Sequence, residues 1–459
     1  MSKLEEAIYQ KYIIPTERTP HKHVGVEFEF PVLNLAKKAV SIPVLQETVK
    51  AFADEFQFTD IKQDDNGNLY SLTNPVNQDN LSFDCSYNTL ELSFGKEENI
   101  NILSKRFRNY FSFLQDKLHP AGHLLTGMGI NPHYQYHVHE PIANKRYRML
   151  YRYLNSYQKY DTDMKYHDIP YFGMMAAASQ VQLDVGKDQI IQSLMTFNRL
   201  EPFKAILFAN SLFDRRPELV ISRDWLWNRS AQGYNPHNLD MYGVELHSID
   251  EYIEYVKTQS MYCVGKEDKY FHFRPMPLTK YFSAESVTGE YFDGETWKTG
   301  TFRPEIEDLA HLRTFKFEDL TYRGTIEYRS ACEQPVRDAF THAAFHVGLA
   351  QKLDELTQLL NQDVVLYGHG YRAEELRKLF TYKDLPDFVD RKALSARLIQ
   401  ILQLAEAGLI QRGFGEEIFL KPLFDRAERL TNPALDMAKG LANGDSLETW
   451  AENYALITP

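Results

Sequence analysis

The stretch VGVEFEF (residues 24–30) constrains the fold most strongly, because it alternates strictly between two kinds of position. Apolar side chains at every second position predict a β-strand with one buried face. Glu27 and Glu29 then lie together on the opposite face. A solvated sheet face is the simplest explanation for two such acids, so the rest of the chain must decide whether they have a function.

Three further stretches, 89–94, 179–185 and 325–330, repeat this arrangement, with apolar residues on one predicted face and polar residues on the other. An additional acid, Asp84, precedes Glu91 by seven residues. The polar faces carry Glu91, Gln180, Gln182, Asp184, Glu327 and Arg329. Each strand taken alone is typical of a half-exposed sheet, and the alternation does not tell whether the strands are neighbours.

Carboxylates on neighbouring strands would need a counter-charge. Two of them about 5 Å apart repel by roughly 3 kcal/mol at an effective dielectric constant near 20. Hard divalent cations prefer oxygen ligands, and magnesium bridges protein carboxylates and the phosphates of a nucleotide. The paired acids therefore suggest a magnesium–nucleotide site if the strands are adjacent.

The order of the patterns predicts an α+β fold. Strand patterns at 24–31, 89–94, 124–131, 179–185 and 325–330 alternate with helix patterns at 1–20, 99–118, 142–157, 188–209 and 249–258. From about residue 339 the periodicity is helical throughout. We expect a catalytic α+β domain over residues 1–338 and a helical region over 339–459 packed on it.

Composition narrows the class of protein. The 459 residues carry a formal charge of −12, which disfavours a protein that binds nucleic acid through phosphates. Three scattered cysteines do not form a disulfide framework or a zinc motif. The N-terminus lacks an apolar signal core, and no apolar run approaching about 20 residues is apparent. We expect a soluble cytoplasmic enzyme without a membrane partner, and the sequence leaves its oligomeric state open.

In this order and spacing the motifs resemble the glutamate–cysteine ligases, particularly the plant and proteobacterial branch, whose catalytic fold is related to glutamine synthetase and the guanidino kinases. The resemblance covers about residues 22–350. It rests on the collinear stretches GVEFEF, DCSYNTLELSFG, GMGINP, ASQVQLDV, PFKAILFANSLF, MYCV and IEYRSACEQPV. It implies an antiparallel sheet forming a cupped active site, in which acids hold two or more magnesium ions around ATP.

The resemblance also implies roles for individual residues. One metal site would consist of Glu27, Asp84 and Glu91, with Glu29, Gln182 and Glu327 near the others. Arg329 and Glu327 would act at the transferred phosphoryl group, where an arginine stabilises developing charge. The substrate-binding residues implied are Arg223, Gln180 and Trp225. For Arg223, a salt bridge to Asp224 or Glu218 is an equal alternative, and Trp225 and Trp227 are spaced as on a strand.

The implied reaction joins glutamate to an amine, with cysteine as the first candidate, through a γ-glutamyl phosphate. The stretch Met174 to Ser179 departs from the family pattern, which has an arginine and a threonine there, so the identity of the amine stays open. Three alternatives remain: a ligase for another amine or amino acid, a phosphotransferase resembling guanidino kinases, and a non-catalytic sensor of ATP or amino acids.

Overall fold

A computed structural model describes residues 1–20, 22–157, 160 and 162–457. Its strands form two antiparallel sheets. The strands are β1 Val24–Asn34, β2 Asp60–Gln63, β3 Leu69–Thr73, β4 Asn80–Phe83, β5 Thr89–Glu97, β6 His123–Leu125, β7 Ser179–Asp184, β8 Ser260–Lys266, β9 Lys269–Pro277, β10 Val287–Phe292, β11 Trp297–Phe302, β12 Glu318–Leu320 and β13 Thr325–Tyr328.

The large sheet brings the four patterned strands side by side. Within the described ranges it has nine strands in the order β12-β13-β7-β1-β5-β4-β3-β2, and β6 pairs with β1. The expected apolar face is buried, as shown by Val26 and Phe28 of β1, which are at most 1% exposed. The acids and amides of the alternating pattern in β13, β7, β1 and β5 therefore share the other face.

The helices are α1 Lys3–Ile8, α2 Ile42–Phe56, α3 Ile100–Leu118, α4 Lys145–Leu154, α5 Ile190–Phe208, α6 Ser222–Asn228, α7 Ile249–Lys257, α8 Leu278–Ser283, α9 Thr341–Ala350, α10 Leu353–Asn361, α11 Ala373–Leu379, α12 Arg391–Arg412, α13 Lys421–Arg429, α14 Pro433–Ala442 and α15 Leu447–Ala455. Aromatic residues of β1, α3 and the segment before α9 pack against the apolar face of the large sheet, and Phe28 lies 5.2 Å from both Phe107 and Phe340 between ring centroids. The α+β class is confirmed.

Two predicted elements were too long. The predicted helix 1–20 is helical only to Thr16. The α-helical part ends at Ile8, a π-helical segment Tyr9–Ile13 follows, and a 3-10 turn Ile14–Thr16 contains Pro15, which has no N–H to donate to a continuing helix. The predicted strand 124–131 is a strand only to Leu125. At Gly127 a Cβ atom would lie 2.1 Å from the carbonyl oxygen of Gln334, so the chain there runs too close to its neighbour for a regular strand with side chains.

The described elements after Thr341 are helices, and they share one hydrophobic core with the large sheet. Helices α9 and α12 cross closely, since a Cβ on Gly408 would lie 2.0 Å from the carbonyl oxygen of Gly348. Among the described residues α12 alone is long and apolar enough to cross a membrane by length and composition. Arg397 and Glu406 interrupt α12, so it is not a continuous apolar run, and its buried residues, such as Leu398 and Leu402, belong to the shared core.

The small sheet, in the order β11-β10-β9-β8, stands opposite the polar face of the large one. The β8–β9 hairpin and the segment 311–315 that follows the small sheet face β1, β4 and β5 across a cleft. Helix α4 closes a third side. This arrangement places the polar face of the large sheet at the floor of a cup.

Candidate active site

The cleft has a volume of about 490 Å³ and an acidic floor. Glu27 and Glu29 of β1, Glu91 of β5 and Asp84 of the β4–β5 turn contribute carboxylates to it. Its rim is basic, with Lys62, Arg146 and Arg313, and Arg329 also lines it. An acidic floor under a basic rim is suited to a polyanion whose charge is bridged to the floor by cations.

Three of these carboxylates form a compact group, the carboxylate triad, consisting of Glu29, Asp84 and Glu91. Their ligand oxygens all lie within 4.8 Å of one another. Pairing of β1 with β5 sets Glu29 directly opposite Glu91, whereas Glu27 stands opposite Ser93. The resemblance had grouped Glu27 with Asp84 and Glu91, and the pairing register puts Glu29 in that place instead.

The backbone beside the triad is strained. Cys85, directly after Asp84, has a φ of 61°, a left-handed conformation that residues with a Cβ rarely adopt. The residue is buried in the tight turn that ends β4. Strain of this kind persists where surrounding contacts enforce it, and here it aims the Asp84 carboxylate into the cleft.

The triad is electrostatically costly without a cation. Burial, and then the charge of Asp84, raise the pKa of Glu29 to about 7. Burial, Asp84 and Glu29 together raise the pKa of Glu91 to about 8. Burial also raises the pKa of Asp84. Three oxygen donors that resist ionisation together are a donor set that fits a hard divalent cation.

Glu27 belongs to a second group, in which Gln182 bridges two acids. The Gln182 amide nitrogen donates to Glu27 Oε1 at 3.0 Å and to Glu327 Oε1 at 2.9 Å. Its amide oxygen accepts from Arg323 Nη1 at 3.2 Å. The oxygen that was expected to ligate a metal is thus engaged by an arginine, and Gln182 here holds two carboxylates apart. Burial, Glu91 and Glu327 raise the pKa of Glu27 to about 8.

Arg329 is a positive charge that acts on carboxylates of both groups. Its Nη1 lies 3.4 Å from Glu327 Oε2. Burial opposes its charge, but the carboxylates of Glu327, Glu27, Glu29 and Glu91 together raise the pKa of Arg329. A guanidinium held permanently charged beside the triad is placed to meet negative charge on a substrate.

Arg223 lies in a small inner chamber of about 50 Å³ that adjoins the triad and also contains Arg329. It is 4% exposed and donates from Nη1 to the carbonyl oxygen of Ala331 at 3.0 Å. Its Nε has no hydrogen-bond partner among the described residues. The alternative salt bridges are not formed, because Asp224 pairs with Arg377 and Glu218 pairs with Arg216.

The two tryptophans near Arg223 lie on helix α6, so the expectation of strand spacing is wrong. Trp227 lines the inner chamber. Trp225 points elsewhere, with its ring 5.3 Å from His167 and 4.7 Å from the Arg216 guanidinium. Gln180 lies on the cleft floor, where its amide nitrogen donates to Glu29 Oε1 at 2.7 Å.

Sequence reasoning missed several residues around the triad. Arg146 of α4 faces Asp84. Burial opposes the charge of this arginine, but Tyr147 and then the Asp84 carboxylate raise its pKa overall. Glu333 is fully buried beneath β1, where its Oε2 accepts from the Glu29 backbone at 3.2 Å. A basic helix pattern such as NKRYRMLYRYL is typical of a solvated face, so it gave no signal for Arg146.

Comparison with known proteins places these residues in a family. The sequence profile of glutamate-cysteine ligase family 2 (GCS2) matches residues 23–438. Chloroplastic glutamate–cysteine ligase of Medicago truncatula is 23% identical over 316 residues, covering 67% of this chain and 57% of the relative. Chloroplastic glutamate–cysteine ligase B of Oryza sativa subsp. japonica is 23% identical over 321 residues, covering 67% of this chain and 60% of the relative. The chain thus spans less than two thirds of the length of these relatives.

Two solved structures were also compared. A bifunctional glutathione synthetase from Pasteurella multocida matches with a TM-score of 0.44 at 10% identity, covering 98% of this chain and 52% of that one. Glutamate–cysteine ligase of Francisella tularensis matches with a TM-score of 0.41 at 13% identity, covering 95% of this chain and 98% of that one. With a profile match over most of its length, the chain belongs to glutamate-cysteine ligase family 2.

Proposed function

We propose that this protein is an ATP- and magnesium-dependent carboxylate–amine ligase that forms a γ-glutamyl amide, with cysteine as the first candidate for the amine. The observation that carries the proposal is the carboxylate triad, with its oxygens within 4.8 Å, beside Arg329 and the arginine-bearing inner chamber. Family membership supports the same reaction class.

The triad would hold magnesium, because it offers three oxygen donors in one place and its pKa values are raised without a cation. Glu27 and Glu327, joined by Gln182, form a second candidate for a metal. When bound, magnesium neutralises phosphate charge and orients the phosphates of ATP. We therefore propose two or more magnesium ions in the cleft.

The chain's own residues bind and orient the substrates. The basic rim, with Arg146 and Arg313, faces the acidic floor across a cleft large enough for a nucleotide's phosphates. Arg223, with an unpartnered Nε in the inner chamber, would bind a substrate carboxylate. Arg329 lines both spaces, so it lies between the nucleotide and the amino acid.

The chemistry proceeds in two displacements. An oxygen of the glutamate γ-carboxylate attacks the γ-phosphorus of ATP, the bond to the β-phosphate oxygen breaks, and ADP leaves. The amine nitrogen then attacks the acyl carbon of the γ-glutamyl phosphate, the C–O bond breaks, and phosphate leaves as nitrogen loses a proton. Arg329 stabilises the charge on the transferred group in the first step.

The stretch Met174 to Ser179, which differs from the family pattern, lines the inner chamber with Ala176 and Ala178. Small apolar residues there offer no charged group to a substrate. The chamber supports binding of a carboxylate through Arg223 but does not choose between cysteine and another small amine, so the acceptor must be found by experiment.

The test measures phosphate release from purified protein with ATP, magnesium and glutamate, with and without a panel of amines that includes cysteine. We expect release that requires both glutamate and an amine, and a γ-glutamyl amide by mass spectrometry. Glu327→Gln should abolish turnover without loss of the fold, whereas Glu97→Gln, on strand β5 but outside the cluster, should not.

Three outcomes would overturn the proposal. A stable phosphorylated product without amide indicates a phosphotransferase. Calorimetric binding of ATP without hydrolysis indicates a sensor. Release that no amine in the panel stimulates excludes a ligase of this class. The cytoplasmic location inferred from the sequence stays a prediction, which cell fractionation tests.

A further inference from the structure

A buried arginine, Arg377 of α11, connects the helical C-terminal region to elements that surround the active site. It is 3% exposed. Nε and Nη2 form a two-pronged pair with Asp224, at 2.8 and 3.1 Å. Nη1 donates to Glu201 Oε2 at 2.7 Å, and Nη2 donates to the carbonyl oxygen of Ser330 at 3.2 Å. One guanidinium therefore ties together α6, α5 and the end of β13.

The groups that Arg377 holds are the chain neighbours of the two arginines of the inner chamber. Asp224 follows Arg223, and Ser330 follows Arg329. Glu201 adds a second tie to the same strand end, since its Oε1 accepts from Ser330 Oγ at 3.0 Å. A displacement of either Asp224 or Ser330 would move the backbone that carries a chamber arginine.

Arg377 also supports the chamber wall. Its guanidinium carbon lies 5.6 Å from the ring centroid of Phe317, which lines the chamber. The carbonyl oxygen of Phe317 accepts the backbone N–H of Arg329 at 2.8 Å. Arg377 thus contacts the wall, the strand end and the helix that together surround the chamber.

Arg377 belongs to a buried charge network. Glu201 is fully buried and pairs with both Arg377 and Lys204, and Asp224 also pairs with Arg377. Two further buried carboxylates, Asp240 and Glu318, adjoin the network, and burial raises the pKa of each. A buried charge pair of this kind is weak evidence for stability, because removing the charges from water costs about as much as their attraction returns. What it does supply is a fixed geometry, since a planar guanidinium donates hydrogen bonds in only a few directions.

We propose that Arg377 is a positioning residue that sets how tightly the inner chamber binds a substrate carboxylate, by fixing Arg223 and Arg329. The proposal rests on the ligase function proposed above only in naming the carboxylate. Helix α11 lies beyond the cleft, so the C-terminal helices control the substrate pocket without touching the substrate.

The test compares Arg377→Met and Arg377→Lys with Arg412→Met, a matched control. Arg412 also lies in the C-terminal helices and has a buried side chain, 5% exposed. It pairs with Glu416 at 2.8 Å and donates to the carbonyl oxygen of Glu98, and both partners lie outside α6 and β13. Arg377→Lys keeps the positive charge but cannot form the two-pronged pair with Asp224. It therefore replaces Arg377→Met in the test if the methionine variant fails to fold. We expect kcat/KM for glutamate to fall by about 10- to 100-fold in both Arg377 variants, with KM for ATP within about twofold.

A second comparison separates positioning from general destabilisation. In an Arg223→Ala background, adding Arg377→Lys should lower kcat/KM for glutamate by a smaller factor than it does in the unmodified protein, because the pathway through Arg223 is already lost and only the pathway through Arg329 remains. Arg412→Met should lower the melting temperature but leave kcat/KM for glutamate within about twofold. Equal loss in both backgrounds, or an Arg377→Lys enzyme with unchanged constants, overturns the proposal.

A readout independent of activity keeps the test valid if the proposed reaction is wrong. Hydrogen exchange by mass spectrometry should show faster exchange in Arg377→Lys for peptides covering 222–228 and 326–332 than for β8. Unchanged exchange in both peptides overturns the positioning role, whereas absence of amine-dependent phosphate release in the unmodified protein overturns only the proposed function.

Discussion

Neutralising Glu91 should make the metal-free protein more stable at neutral pH while removing its activity. Burial and the neighbouring acids raise the pKa of Glu91 from 4.5 to about 8. Folding therefore keeps a proton on Glu91 that the unfolded chain releases above its ordinary pKa. Stability linked to this group is fully present below pH 4.5 and declines as pH rises to 8.

The size of the effect follows from that interval. At pH 7 the raised pKa of Glu91 lowers the free energy of unfolding by about 3 kcal/mol. This is about 1.4 kcal/mol for each of the roughly 2.5 pH units between the ordinary pKa and pH 7. Glu91→Gln removes this cost and keeps an acceptor for Ser93 Oγ, which lies 2.6 Å from Glu91 Oε1. The new amide N–H of the glutamine is buried without a partner, which destabilises the folded state by about 1 to 2 kcal/mol. The variant should thus be about 1 to 2 kcal/mol more stable at pH 7, and equal or slightly less stable at pH 5.

The assay is urea unfolding in EDTA at pH 5, 7 and 8, for the unmodified protein, Glu91→Gln and Glu97→Gln. Glu97 lies on the same strand, 26% exposed and 3.6 Å from Arg106, so its substitution should change stability by at most about 0.5 kcal/mol. A Glu91→Gln protein that is less stable than the unmodified one at pH 8, or a change that is equal at all three pH values, would refute the reasoning.

Two further predictions concern the same face of the sheet. Gln182→Leu removes the donor shared by Glu27 and Glu327, so we expect a loss of about 2 to 3 kcal/mol in metal-free stability by urea unfolding, and an unchanged midpoint would contradict this. Binding of magnesium with a non-hydrolysable ATP analogue at pH 7 should release about one to two protons, because the pKa values of Glu29 and Glu91 are about 7 and about 8. Calorimetry in buffers of different ionisation enthalpy measures this release, which should fall toward zero at pH 9, and release that does not depend on pH would argue against a metal at the triad.

The faces of the patterned strands were predictable, because a strand's side chains alternate with a period of two wherever the strand lies. Val26 and Phe28 are buried and Glu27 and Glu29 face the cleft, as the alternation indicates. Which acids meet was not predictable in the same way. A shift of pairing by two residues keeps every side chain on its face but exchanges the partners, and the pairing of β1 with β5 selects Glu29 for Glu91.

Residues supplied by helices were harder still. Arg146 and Arg377 lie on separate helices far apart in sequence, and their contacts with Asp84 and Asp224 depend on tertiary packing alone. Two tryptophans spaced by two residues fit a strand as well as a short helix, so only the structure assigns Trp227 to the chamber. Local sequence patterns indicate the type of element and its polar face, but they do not indicate which residues distant in sequence lie close together in the fold.

The most direct test of the proposed chemistry follows one oxygen atom. Glutamate labelled with ¹⁸O in its γ-carboxylate is incubated with the protein, ATP, magnesium and the best amine from the panel. If the γ-carboxylate attacks the γ-phosphorus, the C–O bond that later breaks leaves the labelled oxygen on phosphate. Mass spectrometry should then find one ¹⁸O in each phosphate released. Unlabelled phosphate formed together with the amide would contradict a γ-glutamyl phosphate and, with it, the role assigned to the triad and Arg329.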